Sequence, residues 1–531
     1  MSHIAVSQQN NVILFHLDHP VYKVYSSCIL DKSDAPGNDI FFLPRSQGYL
    51  VPAVCNEWVH TVPLGGYGDR LSLSDQGPYL FHHRGGVLYF DSSCWHIQAH
   101  MKSAAKIHII CDILSIWNKA EKMLKLRTLL MVRNMNFVFV SPNFPVTYWN
   151  FCDRLKKNGV NVLGIGDASY DSLDENLKAS LTEYYKVNSL ESYDEVFRAV
   201  AFFSFKYGKI DWLESNNEYW LEQDARLRTD FNITTGVSAS QIESFKSKAA
   251  MKKYYALGGI PTARQMLVSD LDTAQDFVEL VGYPLIAKPE VGVGAAETFK
   301  IQDEAQLMSF FEHLPKVQYV MEEFITGDIY SYDAIVDSEG NPLFESSAVF
   351  PPSIMDIVNN RLDLCYCILD KVPAKLSKMG RATVKAFDVR SRFVHFEFFR
   401  LTKAKKGLGK VGDFVGLEVN MRPAGGYTPD MMDYAHSTDV YQIWADMVTS
   451  DKRVLLPSGD DHFCIYYGRR DGRKYLHSHE EILSKYGNRI SMCVRMPDAL
   501  SGAMGNQMYT AQAWSEAEKD EFISFLSALS E

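Results

Sequence analysis

Three stretches of this chain carry residue types at spacings that could do chemistry. The first is Gly282-Tyr-Pro-Leu-Ile-Ala-Lys288-Pro289. Pro284 to Ala287 predicts a short apolar strand that delivers Lys288 at its end, and Glu290-Val-Gly-Val-Gly-Ala-Ala296 follows as a small-residue turn. A lysine leaving a buried strand needs an anionic partner, and a glycine turn exposes backbone N–H donors beside it. Together they suit a phosphate chain. The second is a pair of strands. In His395-Phe-Glu-Phe-Phe399, two-residue alternation puts Glu397 on one face and Phe396 and Phe398 on the other. In Leu417-Glu-Val-Asn-Met-Arg422, Glu418, Asn420 and Arg422 share a face opposite Leu417, Val419 and Met421. The connection from Leu401 to Asp413, rich in Lys and Gly, suits a long hairpin loop. Taken singly, either strand reads as part of an amphipathic hairpin facing water. Paired, they bring together two carboxylates, an amide oxygen and a guanidinium. Two carboxylates at close range resist joint ionisation unless a cation lies between them. Oxygen ligands of this kind suit Mg²⁺, held at about 2.1 Å by a few carboxylates together with nucleotide phosphates. Pro423-Ala-Gly-Gly426, directly after Arg422, favours this reading over a plain hairpin. The third stretch, Tyr319 to Asp333, predicts a strand, a turn at Gly327 and a second strand. A strand edge with unpaired main-chain groups can hydrogen-bond an adenine, with Phe324 and Ile325 covering its face.

These groups need elements to position them. Lys248 to Leu257 predicts a helix, with Gly258 at its stop and Pro261 just beyond. Its lysines alone would read as a solvated face. Upstream, Phe137 to Val140 is an apolar strand, Tyr148 to Lys157 a helix stopped at Gly159, and Val160 to Gly166 a second strand. Strand, helix, strand within about 30 residues predicts a parallel βαβ unit with ligands at the strand C-termini. Gly164-x-Gly166 lacks the third glycine of a dinucleotide fingerprint, so no NAD site is expected. Glu214 to Glu218 predicts a polar loop before a helix through about Leu227, and Thr234 to Ser240 a small-residue linker. Residues 1–104 read as β-rich, with runs at Asn11 to Leu17, Gly48 to Val54 and Gly86 to Phe90, and contain no chemical motif. Residues 105–132 predict a linking helix, and Ser515 to Leu529 an amphipathic one.

Composition narrows the class. The 531 residues are 46% hydrophobic and 22% charged, a packed globular chain long enough for three or four domains. The net charge of −11, with no dense Lys/Arg block, argues against a nucleic-acid partner. Nine cysteines, an odd number thinly spread, predict reduced thiols. Cys365-x-Cys367 has no second pair nearby, so both sulfurs on one strand face is favoured over a metal site. No signal-peptide pattern and no apolar run long enough to span a bilayer is visible, so the expectation is a cytoplasmic protein with no membrane association.

Residues 246 to about 450 resemble an ATP-grasp domain, the fold of carboxylate–amine ligases, D-alanine–D-alanine ligase and biotin carboxylase. The resemblance implies an α/β architecture with a Rossmann-like pre-ATP-grasp domain (133–240), the ATP-grasp domain (241–452) and a C-terminal subdomain (453–531), preceded by the β-rich segment (1–104) and the linking helix (105–132) read above. Position by position, it implies that Lys248 and Lys288 contact phosphates. Gly292 and Gly294 match the mobile loop over them, and Glu322, Glu323, Phe324 and Ile325 match the adenine hinge. Asp328 stands near the place of the ribose-binding carboxylate, directly after Gly327, where a glutamate one residue later is often found. Glu397, Glu418 and Asn420 match the metal ligands for Mg²⁺, with Mn²⁺ as a substitute, and Arg422 the arginine near the transferred phosphoryl group. Gly425 and Gly426 could supply backbone N–H groups to an oxyanion. The phosphate loop has two glycines and no serine or arginine. After Arg422 stands Pro-Ala-Gly-Gly, not the Gln-Val-Glu-His that supplies the bicarbonate base in biotin carboxylases.

The implied activity is ATP-dependent joining of a small carboxylate to an amine, an amino acid or peptide-like molecule, through an acyl phosphate; a homodimer is an expected partner state. The alternatives are a non-catalytic nucleotide-binding regulator and a carboxylase or phosphate-transferring kinase on the same clamp. Candidate substrate selectors are Tyr427, Asp430 and His436, and Arg469, Arg470 and Arg473, the last three competing with a reading as solvated surface.

Overall fold

The computed structural model describes residues 134–292, 297–350, 357 and 361–530, together with six strands among the first 133 residues. The chain divides into two units, Met1–Val132 and Arg133–Glu531. In the first, His3–Val6 pairs antiparallel with Ile13–His16. His60–Pro63, Arg70–Leu73, Tyr79–His83 and Gly86–Phe90 form an antiparallel meander. Gly86–Phe90 has the bounds expected of it, and Ile13–His16 lies inside the expected run. The strand expected at 48–54 and the linking helix at 105–132 fall outside the described residues.

The second unit opens with a four-stranded parallel sheet. Asn136–Val140 lies beside Asn161–Gly166, which lies beside Glu183–Lys186, and the chain then crosses back to set Trp212–Glu214 on the other flank of Asn136–Val140. Alternating residues of the first strand feed two cores. Phe137 and Phe139 pack with Phe151 and Leu155 of helix Trp149–Lys157, while Val138 and Val140 pack with Val196, Val200 and Phe203 of helix Tyr193–Tyr207. Burial on both faces is why this strand is a continuous apolar run rather than an alternating one. The strand order reverses between Asn136–Val140 and Trp212–Glu214, so a crevice is expected beyond Ser141 and Ser215.

Two antiparallel sheets follow. The smaller runs Gln265–Leu267, Tyr319–Glu323, Leu285–Pro289, Phe299–Ile301. The larger has nine strands: Phe414–Asn420, Arg392–Leu401, Gly327–Val336, Ala348–Phe350, Leu364–Ile368, Phe463–Arg469, Gln507–Ala513 and Ile490–Arg495, with Pro342–Ser346 paired to Gly327–Val336. The C-terminal strands thus continue the sheet that carries Glu397. Cys365 and Cys367 share a strand and join an apolar cluster with Phe463, Phe522 and Leu526, and burial raises both thiols. The closing helix is Glu516–Ser527, inside the expected 515–529, and buries Phe522 and Leu526 in the same cluster. No helix among the described residues is long and apolar enough to cross a membrane.

Candidate active site

The hairpin is the centre of the site. Arg392–Leu401 and Phe414–Asn420 pair antiparallel, and Glu397 stands directly opposite Glu418, with His395 opposite Asn420. A register shift follows Glu397. On the reverse face Phe396, Phe398, Val419 and Met421 are buried in one apolar cluster, which locks the register and turns both carboxylates to the same side. Their surroundings divide them. Burial works against ionisation of Glu397, but the His395 ring beside it, with Nε2 3.3 Å from Oε1, keeps its carboxyl below the usual range. Burial raises Glu418, and Glu397 adds to the rise against the pull of Lys248. Among the described residues no three carboxylate, imidazole or thiolate groups form a metal-binding cluster by themselves. Two facing carboxylates and the buried Asn420 fit a divalent cation whose remaining ligands come from a bound phosphate chain.

Facing this corner is a lysine cluster that the sequence only half discloses. Ser247 caps helix Lys248–Leu257 by accepting from the Ala250 N–H. Lys248 Nζ lies 3.8 Å from Glu418 Oε1 and donates to the Gly292 carbonyl at 3.2 Å. One turn on, Lys252 Nζ lies 2.8 Å from Glu322 Oε1, and Lys288 Nζ lies 2.7 Å from Glu322 Oε2. Ile286 pairs with Glu322, so Lys288, two residues along, projects from the same sheet face. Two nearly buried ammonium groups therefore flank one buried carboxylate, and a third, on Lys248, lies against Glu418. Burial lowers Lys248 and Lys252, whereas Glu322 and Glu418 lift Lys288 despite its burial. Glu322 itself is held down to about 2, burial being outweighed by Lys288 and Lys252. The surplus of positive charge calls for an anion. Ser247 Oγ donates to Glu290 Oε1 and the Lys248 N–H to the Glu290 carbonyl at 3.1 Å, tying the phosphate-loop entry to the helix.

The hinge differs from the open strand edge expected. Tyr319–Glu323 is an inner strand, paired on one side with Gln265–Leu267 and on the other with Leu285–Pro289, so its main chain is already committed. Glu322 and Glu323 serve instead through their side chains: Glu323 binds Arg264 Nη2 at 2.7 Å and Lys405 Nζ at 3.1 Å. The segment leaving the strand begins at Phe324, whose carbonyl accepts from Lys405 at 2.8 Å and whose ring lies 4.3 Å from Lys300 Nζ. Ile325 packs with Ala263, Leu401 and Val415. Asp328 stands opposite Arg400 at the start of the long strand. Gly294 lies outside the described residues.

Arg422 leaves the hairpin and donates to the Pro423 carbonyl at 2.8 Å. Thr428 closes the turn by donating its hydroxyl to the Gly425 carbonyl at 2.7 Å, and Gly426 takes a left-handed φ of 63°, which favours glycine. Tyr427 is buried beyond the turn, and the Asp430 carboxylate accepts from Tyr441 at 3.0 Å. Burial pushes Asp430 up to about 6. His436 is elsewhere. It lies between Ser346 Oγ and Asp461 and lines a separate cavity of about 560 Å³. The basic cluster is tied down by carbonyls, Arg469 buried and Arg470 and Arg473 partly exposed: Arg469 donates to the carbonyls of Leu526 and His477, Arg470 to those of Leu362 and Ser501, and Arg473 to that of Arg361. Their guanidinium groups join loops to the helices Asp498–Met504 and Glu516–Ser527.

Four further contributors carry no linear motif. Lys252 is an ordinary helix lysine until Glu322 arrives from 70 residues away, although its spacing of four from Lys248 is a usable signal. His395 is held from behind, Nδ1 lying 2.7 Å from Asp333 Oδ1. Arg392 and Arg228 both reach Glu214, linking the parallel sheet to the hairpin.

Comparison with known proteins places this geometry. Residues 257–350 match the family model for an ATP-grasp domain. Over 246 residues the chain is 24% identical to an L-arginine-specific L-amino acid ligase of Bacillus subtilis, spanning 45% of this chain and 57% of that enzyme, so it matches little more than half of that relative's length. Among solved structures, an L-amino acid ligase from Bacillus licheniformis superposes with a TM-score of 0.56 at 14% identity, covering 74% of this chain and 97% of that one. The biotin carboxylase domain of Hydrogenobacter thermophilus 2-oxoglutarate carboxylase, solved with MgADP, ADP and bicarbonate, gives 0.52 at 16% identity, covering 73% and 88%. N5-carboxyaminoimidazole ribonucleotide synthetase from Thermotoga maritima gives 0.52 at 16%, covering 75% and 100%.

Proposed function

This chain carries an ATP-grasp domain, and we propose that it is an ATP-dependent ligase joining a small carboxylate to an amine. The observation that supports this most is the register of the hairpin, Glu397 against Glu418, with Lys248 on Glu418 and Lys252 and Lys288 sharing Glu322 nearby. The relatives named for amino acid ligation point to amino acids as substrates.

Charge management explains the arrangement. A carboxylate attacking the γ-phosphate of ATP is an anion approaching an anion. Lys248, Lys252 and Lys288 offset the phosphate charge from one side. Glu397, Glu418 and Asn420 would hold Mg²⁺ on the other, where it would neutralise charge developing on the phosphate oxygens. The carboxylate oxygen bonds to the γ-phosphorus and ADP leaves, giving an acyl phosphate. Arg422 holds its oxygens. The amine nitrogen then bonds to the acyl carbon, the backbone N–H groups of Gly425 and Gly426 stabilise the oxyanion, and phosphate departs as the amine loses a proton.

The test is ADP release from the full chain with ATP, Mg²⁺ and pools of acids and amines. Release that requires both a carboxylate and an amine supports the ligase. Release with bicarbonate alone overturns it in favour of a carboxylase, and nucleotide binding without any release in favour of a regulator.

A further inference from the structure

The cavity beside His436 has no part in the chemistry above. It measures about 560 Å³, a size at which proteins hold small molecules, and none of the residues assigned to phosphate, metal or acyl transfer lines it. Its walls are strand Pro342–Ser346, the turn at 370–372 after strand Leu364–Ile368, the end of helix Thr428–His436, and the segment 453–461 that follows helix Val440–Ser450. That segment is tied along its length. The Asp446 carboxylate accepts from the Val454 and Leu455 N–H groups at 3.3 and 3.2 Å, the Ser437 carbonyl from the Ser458 N–H at 2.8 Å, and the Ala435 carbonyl from the His462 N–H at 2.8 Å. His436 is fixed between Ser346 Oγ at 2.9 Å and Asp461 Oδ1 at 3.0 Å. The cavity is therefore pre-formed.

The charges around it do not balance. Glu345 accepts from Tyr332, Ser377 and Arg381, and Asp461 lies against His436, so both carboxylates are already served. Arg453 is different. Its Nε donates to the Leu455 carbonyl at 2.8 Å and its Nη2 to the Thr438 hydroxyl at 3.3 Å, and among the described residues no carboxylate forms an ion pair with it and nothing accepts from its Nη1. Burial lowers Arg453, and Asp461 offsets this without reaching it. Lys371 is likewise without an ion pair among the described residues, and Asp370 is the one lining carboxylate left to offset the two cations. A half-buried guanidinium with an open N–H edge suits a carboxylate or phosphate, whose oxygens match its planar donors. Leu343, Phe344, Val372 and Pro457 make the rest of the wall apolar.

We propose that this cavity is a second ligand site, taking a small organic anion, a carboxylate or a phosphate monoester with an apolar body, whose charged end Arg453 and Lys371 receive. The site stands apart from the ligase reading, since no group of the nucleotide corner contributes to it. Inorganic phosphate meets the same two cations but leaves the apolar wall in water. A neutral molecule of the same shape covers the wall but leaves the Arg453 guanidinium half-buried without an anion. Each therefore binds more weakly than a molecule that does both.

The experiment is isothermal titration calorimetry on the full chain, with MgADP in excess so that the phosphate corner is occupied. The probes are phenylacetate, phenyl phosphate, inorganic phosphate and neutral phenylacetamide. One of the two aromatic anions should bind at least about tenfold tighter than both phenylacetamide and inorganic phosphate, and which one does so identifies the charged end as carboxylate or phosphate. Arg453→Gln should weaken that binding by roughly 10- to 10²-fold, the scale of a hydrogen bond between charged groups. Lys371→Glu changes an exposed side chain and should weaken it in the same direction, which keeps the test decisive if circular dichroism shows Arg453→Gln misfolded. Aromatic anions that bind no tighter than phenylacetamide overturn the proposal, as does inorganic phosphate that matches them. So do folded variants that bind the anion as tightly as the parent, since the anion then lies elsewhere.

Discussion

Glu322→Gln removes the one carboxylate that joins two of the three lysines of the site. Glu322 lies 2.7 Å from Lys288 and 2.8 Å from Lys252, almost fully buried, and its carboxyl is held from 4.5 to about 2. At about 1.4 kcal/mol per pK unit, a displacement of that size corresponds to roughly 3 kcal/mol of native-state stabilisation. Deleting one partner of a buried ion pair costs about 3–5 kcal/mol by a separate route, so the two agree. The sign follows from the direction. A carboxyl titrating lower in the folded chain than in the unfolded one contributes fully above the ordinary value of 4.5 and loses that contribution as pH falls toward about 2. Urea denaturation should therefore show the variant about 3 kcal/mol less stable at pH 7, with the gap shrinking to less than half of that near pH 3. Adding Lys252→Met should recover part of the loss, because one uncompensated buried ammonium goes with it. A variant within about 0.5 kcal/mol of the parent at pH 7, or a gap that does not narrow on acidification, would refute the counter-ion assignment.

Arg422→Ala should retain ATP binding in equilibrium dialysis while losing turnover by roughly 10²- to 10³-fold, and normal amide synthesis by it would remove Arg422 from the transfer step. Glu418→Gln should abolish the Mg²⁺ dependence of nucleotide binding while leaving the fold intact by circular dichroism; undiminished Mg²⁺ dependence counts against the ligand assignment. His395 is raised from 6.5 to about 9 by Asp333 and Glu397 against its burial, so its contribution is complete below about 6.5 and lost as pH rises through 9. Melting temperatures followed from pH 6 to 10 should fall more steeply for the parent chain than for His395→Gln. Gly468→Ala would set a methyl group 2.0 Å from the Met504 carbonyl oxygen, a backbone atom that cannot swing aside, and should lower stability by about 1–3 kcal/mol or more in urea.

What could be read from the sequence, and what could not, follows from how far each interaction reaches. Glu397 and Glu418 were legible because a strand's two-residue period ties side-chain direction to position, and the apolar residues on the reverse face admit one register. The parallel βαβ start was legible for a related reason, since a strand buried on both faces has nowhere to place a polar residue. Lys252 and Arg392 were not, because each is defined by a partner from a distant segment: Glu322 and Glu214. The open strand edge expected at 319–323 is absent because Gln265–Leu267 covers the far side of Tyr319–Glu323. The arginines at 469, 470 and 473 mislead in the opposite direction. A dense basic run looks like a ligand site or a wet surface, yet the carbonyls of Arg361, Leu362, His477, Ser501 and Leu526 accept from it. Clustered charge in sequence is therefore a weaker guide here than an unpaired charge in space. The free Oε2 of Glu218 stands out because no neighbouring side chain satisfies it, and satisfaction is a property of the folded chain alone.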